Sequence, residues 1–493
     1  MANIIHNAVP NMSNVELASK IPYAIVDYKK VATNRLYIDK TSYIAEIERD
    51  FECASLFRPR RMGKSLFLST MYYYYDYKFE SQFDELFKGT YVHDHPTPKK
   101  SSFSVLLFDF SGIEAASYEV AYNQMQTTVT SDIKLFLDQN NYNLFSEIDY
   151  ATSPAMILRQ LFMYVELKHP IYILIDEYDH FTNRMLKSDS DICQRTIDSG
   201  GFLRAFFEVI KDAARNSQVL DKIFFTGVSP MTINSMTGGF NISSSVDSYG
   251  AKYNDILGLT HDDAKWLIRN IPNLEEDESR KLFERLKALY DGYAFNESYE
   301  RTLFNPTMIF FYLRKYLIGD NEEPSDFLDT NILSGYSNIE SLARLSIMDP
   351  NPAVIKADFD ARTACLMDAI AQVPINEPLC KVFTLNRFTC HEFVSQLFYM
   401  GYLTLRNSYG KIGLVIPNAV MQQIFEAYFL DMIIKLPTFK DTSEMKKALD
   451  DIADNGDNVG LVDYLGKFLS VAGHYNYANF VEKHFQIAAF SLF

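Results

Sequence analysis

Four short runs of β-branched, Leu and Phe residues punctuate the chain, at Ala54–Phe57, Phe103–Phe110, Ile171–Ile175 and Lys222–Val228. Longer stretches with helical spacing separate them. Continuous apolar runs this short suit strands buried on both faces, and strands alternating with helices build a parallel sheet covered by helices. The pattern therefore predicts an α/β core over residues 21–249, preceded by an irregular polar tail at 1–20, with an extra strand at Leu36–Ile38 and a helix after it. Past Gly258 the character changes. Thr260 stands as an N-cap before HDDAKWLIRNI, and further helical stretches at Asp277–Tyr290 and Pro306–Tyr316 predict a small helical, lid-like domain over 250–330. Residues 331–450 read as mostly helical. Near their end, a helix followed by strands at Tyr402–Leu405 and Gly413–Ile416, around a turn at Asn407–Gly410, predicts a winged-helix-like segment. The Asp-, Asn- and Gly-rich stretch 451–460 reads as a linker, and 461–493 as helical.

Composition narrows the class without naming it. At 493 residues the chain has room for about two to four domains. With 47% hydrophobic and 22% charged residues it has the balance of an ordinary globular protein, which excludes a wholly disordered chain. Lys and Arg total 47 against 63 Asp and Glu, a net charge of −16, so the surface is a poor general binder of polyanions, although a local basic patch stays open. No stretch approaches the roughly 18 consecutive apolar residues of a membrane span. The start, MANIIHNAVPNMSNVELASK, lacks the basic and apolar regions of a secretory signal. Cys53, Cys193, Cys365, Cys380 and Cys390 show no CxxC spacing and read as reduced thiols of a cytoplasmic protein. Most of the 38 Phe and 32 Tyr read as core, including the Tyr72–Tyr75 run and Phe393, Phe398 and Tyr399. His169, His180 and His261 are scattered and form no ligand set.

The chemistry concentrates at Arg58-Pro59-Arg60-Arg61-Met62-Gly63-Lys64-Ser65, between the first core strand and the helix beginning LFLSTMYYYY. This is a P-loop whose first glycine is replaced by Arg58 while Gly63-Lys64-Ser65 is intact. In such a loop, backbone N–H groups and the helix start, here Arg58 to Leu66, cradle phosphate oxygens. Lys64 reaches the β/γ-phosphates and the Ser65 hydroxyl holds Mg²⁺. The strand Ile171–Ile175 ends in Asp176-Glu177-Tyr178-Asp179. An apolar strand ending in two acids supplies one carboxylate for Mg²⁺, Asp176, and one for the attacking water, Glu177. The strand Lys222–Val228 ends among hydroxyls, of which Thr226 or Ser229 can orient that water. Arg58, Arg60 and Arg61 are the cations nearest the γ-phosphate by sequence, and any of them can absorb charge there.

These residues together resemble the bacterial AAA-ATPase-like family, grouped with the signal-transducing STAND-type P-loop NTPases. The resemblance rests on PYAIVDYKKV and YIDKTSYI within 22–44, RPRRMGKS at 58–65, ILIDEYD at 173–179, FFTGVSPMT at 224–232, LYDGYAF at 289–295, LFNPTMI at 303–309 and MGYLT with IPN within 400–418. It implies ATP rather than GTP, Mg²⁺, and a nucleotide-controlled switch. It also places Asp39-Lys40-Thr41 beside the nucleotide. Relatives often carry a PD-(D/E)XK nuclease-like domain after this region. Here FVEKHFQIAAFSLF matches only its first helix, no D…ExK arrangement follows, and the expectation is a truncated domain without nuclease activity. A second expectation comes from another class: a module binding nucleic acid or a protein partner, with a structural P-loop. Few cations in the winged-helix-like segment (Arg387, Arg406 and Lys411) make a protein contact the better fit for it.

Overall fold

The computed structural model describes residues 12–329, apart from 115, 167, 189, 198–199, 217–218, 231 and 233–241. It also describes 390–425 without 409–410, together with 4–5 and a few isolated positions elsewhere. The readings of 331–389, of 426–450, of the linker at 451–460 and of 461–493 lie outside the described residues. Strands β1 (Ile4–Ile5) and β2 (Tyr37–Ile38) pair antiparallel as a small two-stranded sheet. The main sheet is wholly parallel and has five strands: β3 (Cys53–Phe57), β4 (Ser104–Asp109), β5 (Ile171–Asp176), β6 (Leu220–Gly227) and β7 (Ser244–Ser245). Their order across the sheet is β4-β5-β6-β3-β7. Four of these strands are the apolar runs of the sequence. The fifth, a Ser-Ser pair, carries no hydrophobic signal and is held by its register with Ala54 and Ser55.

Helices cover both faces of this sheet, which is why β3 and β5 are buried along their whole length. The phosphate-loop helix (Lys64–Tyr75) packs on one side with Phe67, Leu68, Met71, Tyr74 and Tyr75 inward. The helices Tyr118–Gln139, Pro154–Tyr164 and Phe202–Asn216 pack on the other. The tyrosine run is thus helix-face packing, with Tyr74 and Tyr75 wholly buried. Among the described residues, Cys53, Cys193 and Cys390 form no disulfide, and the first two are buried.

The tail expected to be irregular folds from Ser13 onward. Ser13 and Glu16 form a reciprocal capping box that starts the helix Asn14–Lys20, and Leu17 and Ala18 join the core. Thr260 caps His261–Arg269 in the same way, with Asp263 as the returning partner. Helices Glu276–Tyr290 and Pro306–Ile318 follow. The helix Cys390–Tyr399 leads into the antiparallel hairpin of β8 (Thr404–Ser408) and β9 (Lys411–Val415). That hairpin sits about two residues off the expected strands, because Ser408 already pairs with Lys411 and the reversal is tighter than the sequence turn.

Candidate functional site

The sheet order sets the site. The strand bearing Thr226, β6, lies between the phosphate-loop strand β3 and the acid-bearing strand β5, so all three carboxyl ends converge. Such sheets bind ligands at that edge. The loop after β3 turns through two left-handed residues, Arg61 (φ 70°) and Gly63 (φ 100°), of which Gly63 caps the helix beginning at Lys64. A Cβ at Gly63 would meet no neighbour within 4 Å, so the glycine answers the backbone angle rather than crowding.

Lys64 Nζ donates to the carbonyls of Arg58 (3.0 Å) and Pro59 (3.1 Å), and lies 3.6 Å from Glu177 Oε1. Asp176 accepts from Thr226 Oγ1 at 2.6 Å and is also hydrogen-bonded to Ser65. Burial raises the Asp176 carboxyl, and the Ser65 and Thr226 hydroxyls counter it by stabilising the charged form. A hydroxyl and a carboxylate meeting here form the oxygen donor set of a hard divalent cation, so the residues present fit Mg²⁺. Burial alone would raise Glu177 as well. The Lys64 charge, the His180 hydrogen bond and Arg60 outweigh it and bring that carboxyl down to about 2.

The arginines divide. Arg58 is not at the phosphate site with its side chain: the guanidinium is buried and turned away. It bonds Asp247, the Phe57 carbonyl and the Tyr253 carbonyl, and lies 4.3 Å over the Phe295 ring. Only its carbonyl faces Lys64. Arg60 is exposed and approaches His180 Nδ1 at 3.4 Å. Arg61 is exposed too, and its carbonyl accepts from Thr307 Oγ1 at 3.1 Å. The carbonyls of Arg60 and Met62 accept from Asn305 Nδ2 (3.5 Å) and the Gly258 N–H (3.3 Å), so the helical segment grips the loop's outer side. Pro59 and Met62 are buried.

Two residues, His180 and Asp179, enter this region without a role from the sequence, and Lys40 lies beside the loop as the resemblance implied. His180, expected to belong to no ligand set, lies 3.6 Å from Glu177 Oε2; its spacing three residues after Glu177 on a helix start is the signal that was available. Asp179 accepts from the N–H groups of Val228 and Ser229 and from Asn183 Nδ2, clasping the ends of β5 and β6. Ser229 thus serves through its backbone. Lys40, from the Asp-Lys-Thr triplet, forms a buried ion pair with Asp263 (3.3 Å) and lines an apolar cleft beside Gly63 and Leu66. Leu36, Ile38, Leu259 and Phe310 form other walls of that cleft. Asp39 and Thr41 are turned elsewhere, accepting from the N–H groups of Tyr91 and Val92.

A parallel sheet with a phosphate loop and paired acids at its carboxyl edge points to a P-loop, ATPase-like protein. Residues 22–237 match the family model described as Predicted AAA-ATPase. Among curated proteins, an uncharacterized protein in the vnfD 5′ region of Azotobacter chroococcum mcd 1 is 25% identical over 286 residues. That match covers 56% of this chain and 48% of the relative, so the chain matches about half the relative's length. Among solved structures, the Walker-type ATPase PABY2304 of Pyrococcus abyssi is 12% identical with a TM-score of 0.40, covering 81% of this chain and 96% of that one. A Drosophila ORC structure with GC-rich DNA and Cdc6 is 10% identical with a TM-score of 0.27, covering 92% and 72%.

Proposed function

We propose that the protein binds ATP together with Mg²⁺ and hydrolyses it, using the cycle as a switch. The observation that carries this reading is the convergence of Lys64, Ser65, Asp176, Glu177 and Thr226 at one edge of the parallel sheet. The backbone N–H groups at Gly63–Leu66 and the dipole of the following helix take the phosphate oxygens. Lys64 gives up the Arg58 and Pro59 carbonyls and turns to the β/γ-phosphates. Ser65 and Asp176 hold Mg²⁺, which when bound neutralises phosphate charge. Glu177 is the base for the attacking water. At about 2 its carboxyl is ionised at neutral pH, and losing Lys64 to the nucleotide restores basicity at the moment it is used. Thr226 keeps Asp176 in place, and Arg60 absorbs charge at the γ-phosphate. The apolar cleft beside Gly63 takes the base. The helical segment, bonded to three loop carbonyls, follows the loop when nucleotide enters.

Lys64→Ala tests the binding step. Calorimetric titration with MgATP should show affinity lost by at least about 100-fold while the protein stays folded, since a charge-assisted contact to phosphate disappears. Unchanged affinity would sink the assignment. The second reading, a partner-binding module around a non-hydrolysing loop, draws on the helix and hairpin at 390–415. DNA binding with a steep salt dependence would favour it.

A further inference from the structure

Glu177 sits in a left-handed turn (φ 51°), a conformation that costs a non-glycine residue energy and persists only where its surroundings impose it. Asp179, two residues on, ties this turn to the end of β6. Its carboxylate is wholly buried and accepts from Val228 N–H (3.0 Å), Ser229 N–H (2.7 Å) and Asn183 Nδ2 (2.7 Å). The turn is pinned a second time by the Tyr178 hydroxyl, which donates to the Ser229 carbonyl at 2.6 Å. Asn183 presents its remaining amide oxygen to Gln396 Nε2 at 3.5 Å. Gln396 belongs to the helix Cys390–Tyr399, more than 200 residues on, and is fully buried with its Oε1 unbonded.

A buried carboxamide is costly to leave half-satisfied, so it belongs to a network or to a device. The same helix approaches the other side of the site as well. Gly401, just past its end, lies so close to the phosphate loop that a Cβ there would come within 2.7 Å of the Pro59 side chain. Phe398 meets Phe295, the ring under Arg58. The end of this helix therefore meets the loop that would hold phosphate, and Gln396 reaches Asn183, the residue that bonds Asp179.

We propose that Asp179, Asn183 and Gln396 are positioning residues for Glu177, through which the helix Cys390–Tyr399 controls turnover. The proposal rests on the reading that Glu177 activates water. Docking of the helix completes Asn183, Asn183 holds Asp179, and Asp179 holds the turn. With the helix displaced, Asp179 keeps its two backbone donors, but Asn183 is free to swing and the turn relaxes. Turnover then falls, and variants that cut only the Gln396–Asn183 link leave the Gly401–Pro59 contact and phosphate binding in place.

The test is steady-state ATP hydrolysis and MgATP affinity for wild type, Gln396→Met, Asn183→Leu and the double variant. Met matches Gln in length and overall size but lacks the amide, so packing is retained, and melting curves identify any variant that is not folded. The expected result is kcat lowered about tenfold or more in each single variant, because small misplacements of catalytic groups are costly. Affinity should stay within about twofold, and the double variant should be no slower than the slower single one, because contacting residues in one relay are not additive. Gln396→Met with wild-type kcat, a loss confined to affinity, or strictly additive losses would overturn the relay. Wild-type protein that binds MgATP without turning it over would overturn the hydrolytic reading, and the relay with it.

Discussion

Arg58 occupies the position where a phosphate loop ordinarily starts with glycine. The spacing says it lies in the loop but is silent about where its side chain goes. Burial decides that. Its guanidinium is spent on Asp247, two carbonyls and the face of Phe295, all behind the loop. The substitution thus exchanges a glycine's freedom for an anchor between β3 and the segment at 246–256. Arg58→Gly, which restores the common motif, should therefore destabilise rather than improve the protein. Breaking a buried pair by removing one partner costs about 3–5 kcal/mol, read as a fall in the urea midpoint at unchanged slope. A variant as stable as wild type would contradict the anchor. That Lys64, Ser65, Asp176 and Glu177 would come together was legible, because their types stand at the end of a strand and at the start of a helix. His180 and Asp179 were not, since their roles depend on the left-handed turn at Glu177, and no residue type announces that turn.

At the scale of elements, the buried strands were readable because helices on both faces force unbroken apolar runs. Strand β7 was unreadable because two serines carry no such constraint. The helix at Asn14–Lys20 carried a signal in Ser13 and Glu16, but its short, mixed sequence masked it. The long helix Tyr118–Gln139 was only outlined, and it holds an acid that matters for pH. Burial, and then the nearby Asp109 at the end of β4, raise the Asp132 carboxyl to about 7 from its ordinary 3.8. The folded protein then holds a proton that the unfolded chain releases between those values. Stability from this group is therefore full below about 4 and declines as pH rises toward 7. Asp132→Asn should flatten that decline: its melting temperature should exceed that of wild type at pH 8 and converge with it near pH 4. Parallel curves across that range would remove Asp132 as the cause.

For the molecule as a whole, the phosphate loop is the meeting point of distant parts of the chain. The helical segment supplies Gly258, Asn305 and Thr307 to its carbonyls. The helix and hairpin after Cys390 press Gly401 on Pro59, and Thr404 bonds the backbone of Ala294. A loop held this way shares its bonds with these neighbours, which is what the proposed switch requires. These contacts join residues hundreds of positions apart, and a single sequence contains no record of them. The most direct measurement is MgATP binding by calorimetry together with phosphate release, on wild type and on Glu177→Gln. The account predicts binding by both proteins and turnover in wild type, with the variant slowed by about 10²-fold or more, the usual worth of a general base. Equal phosphate release by the two proteins, or no binding by either, would contradict it.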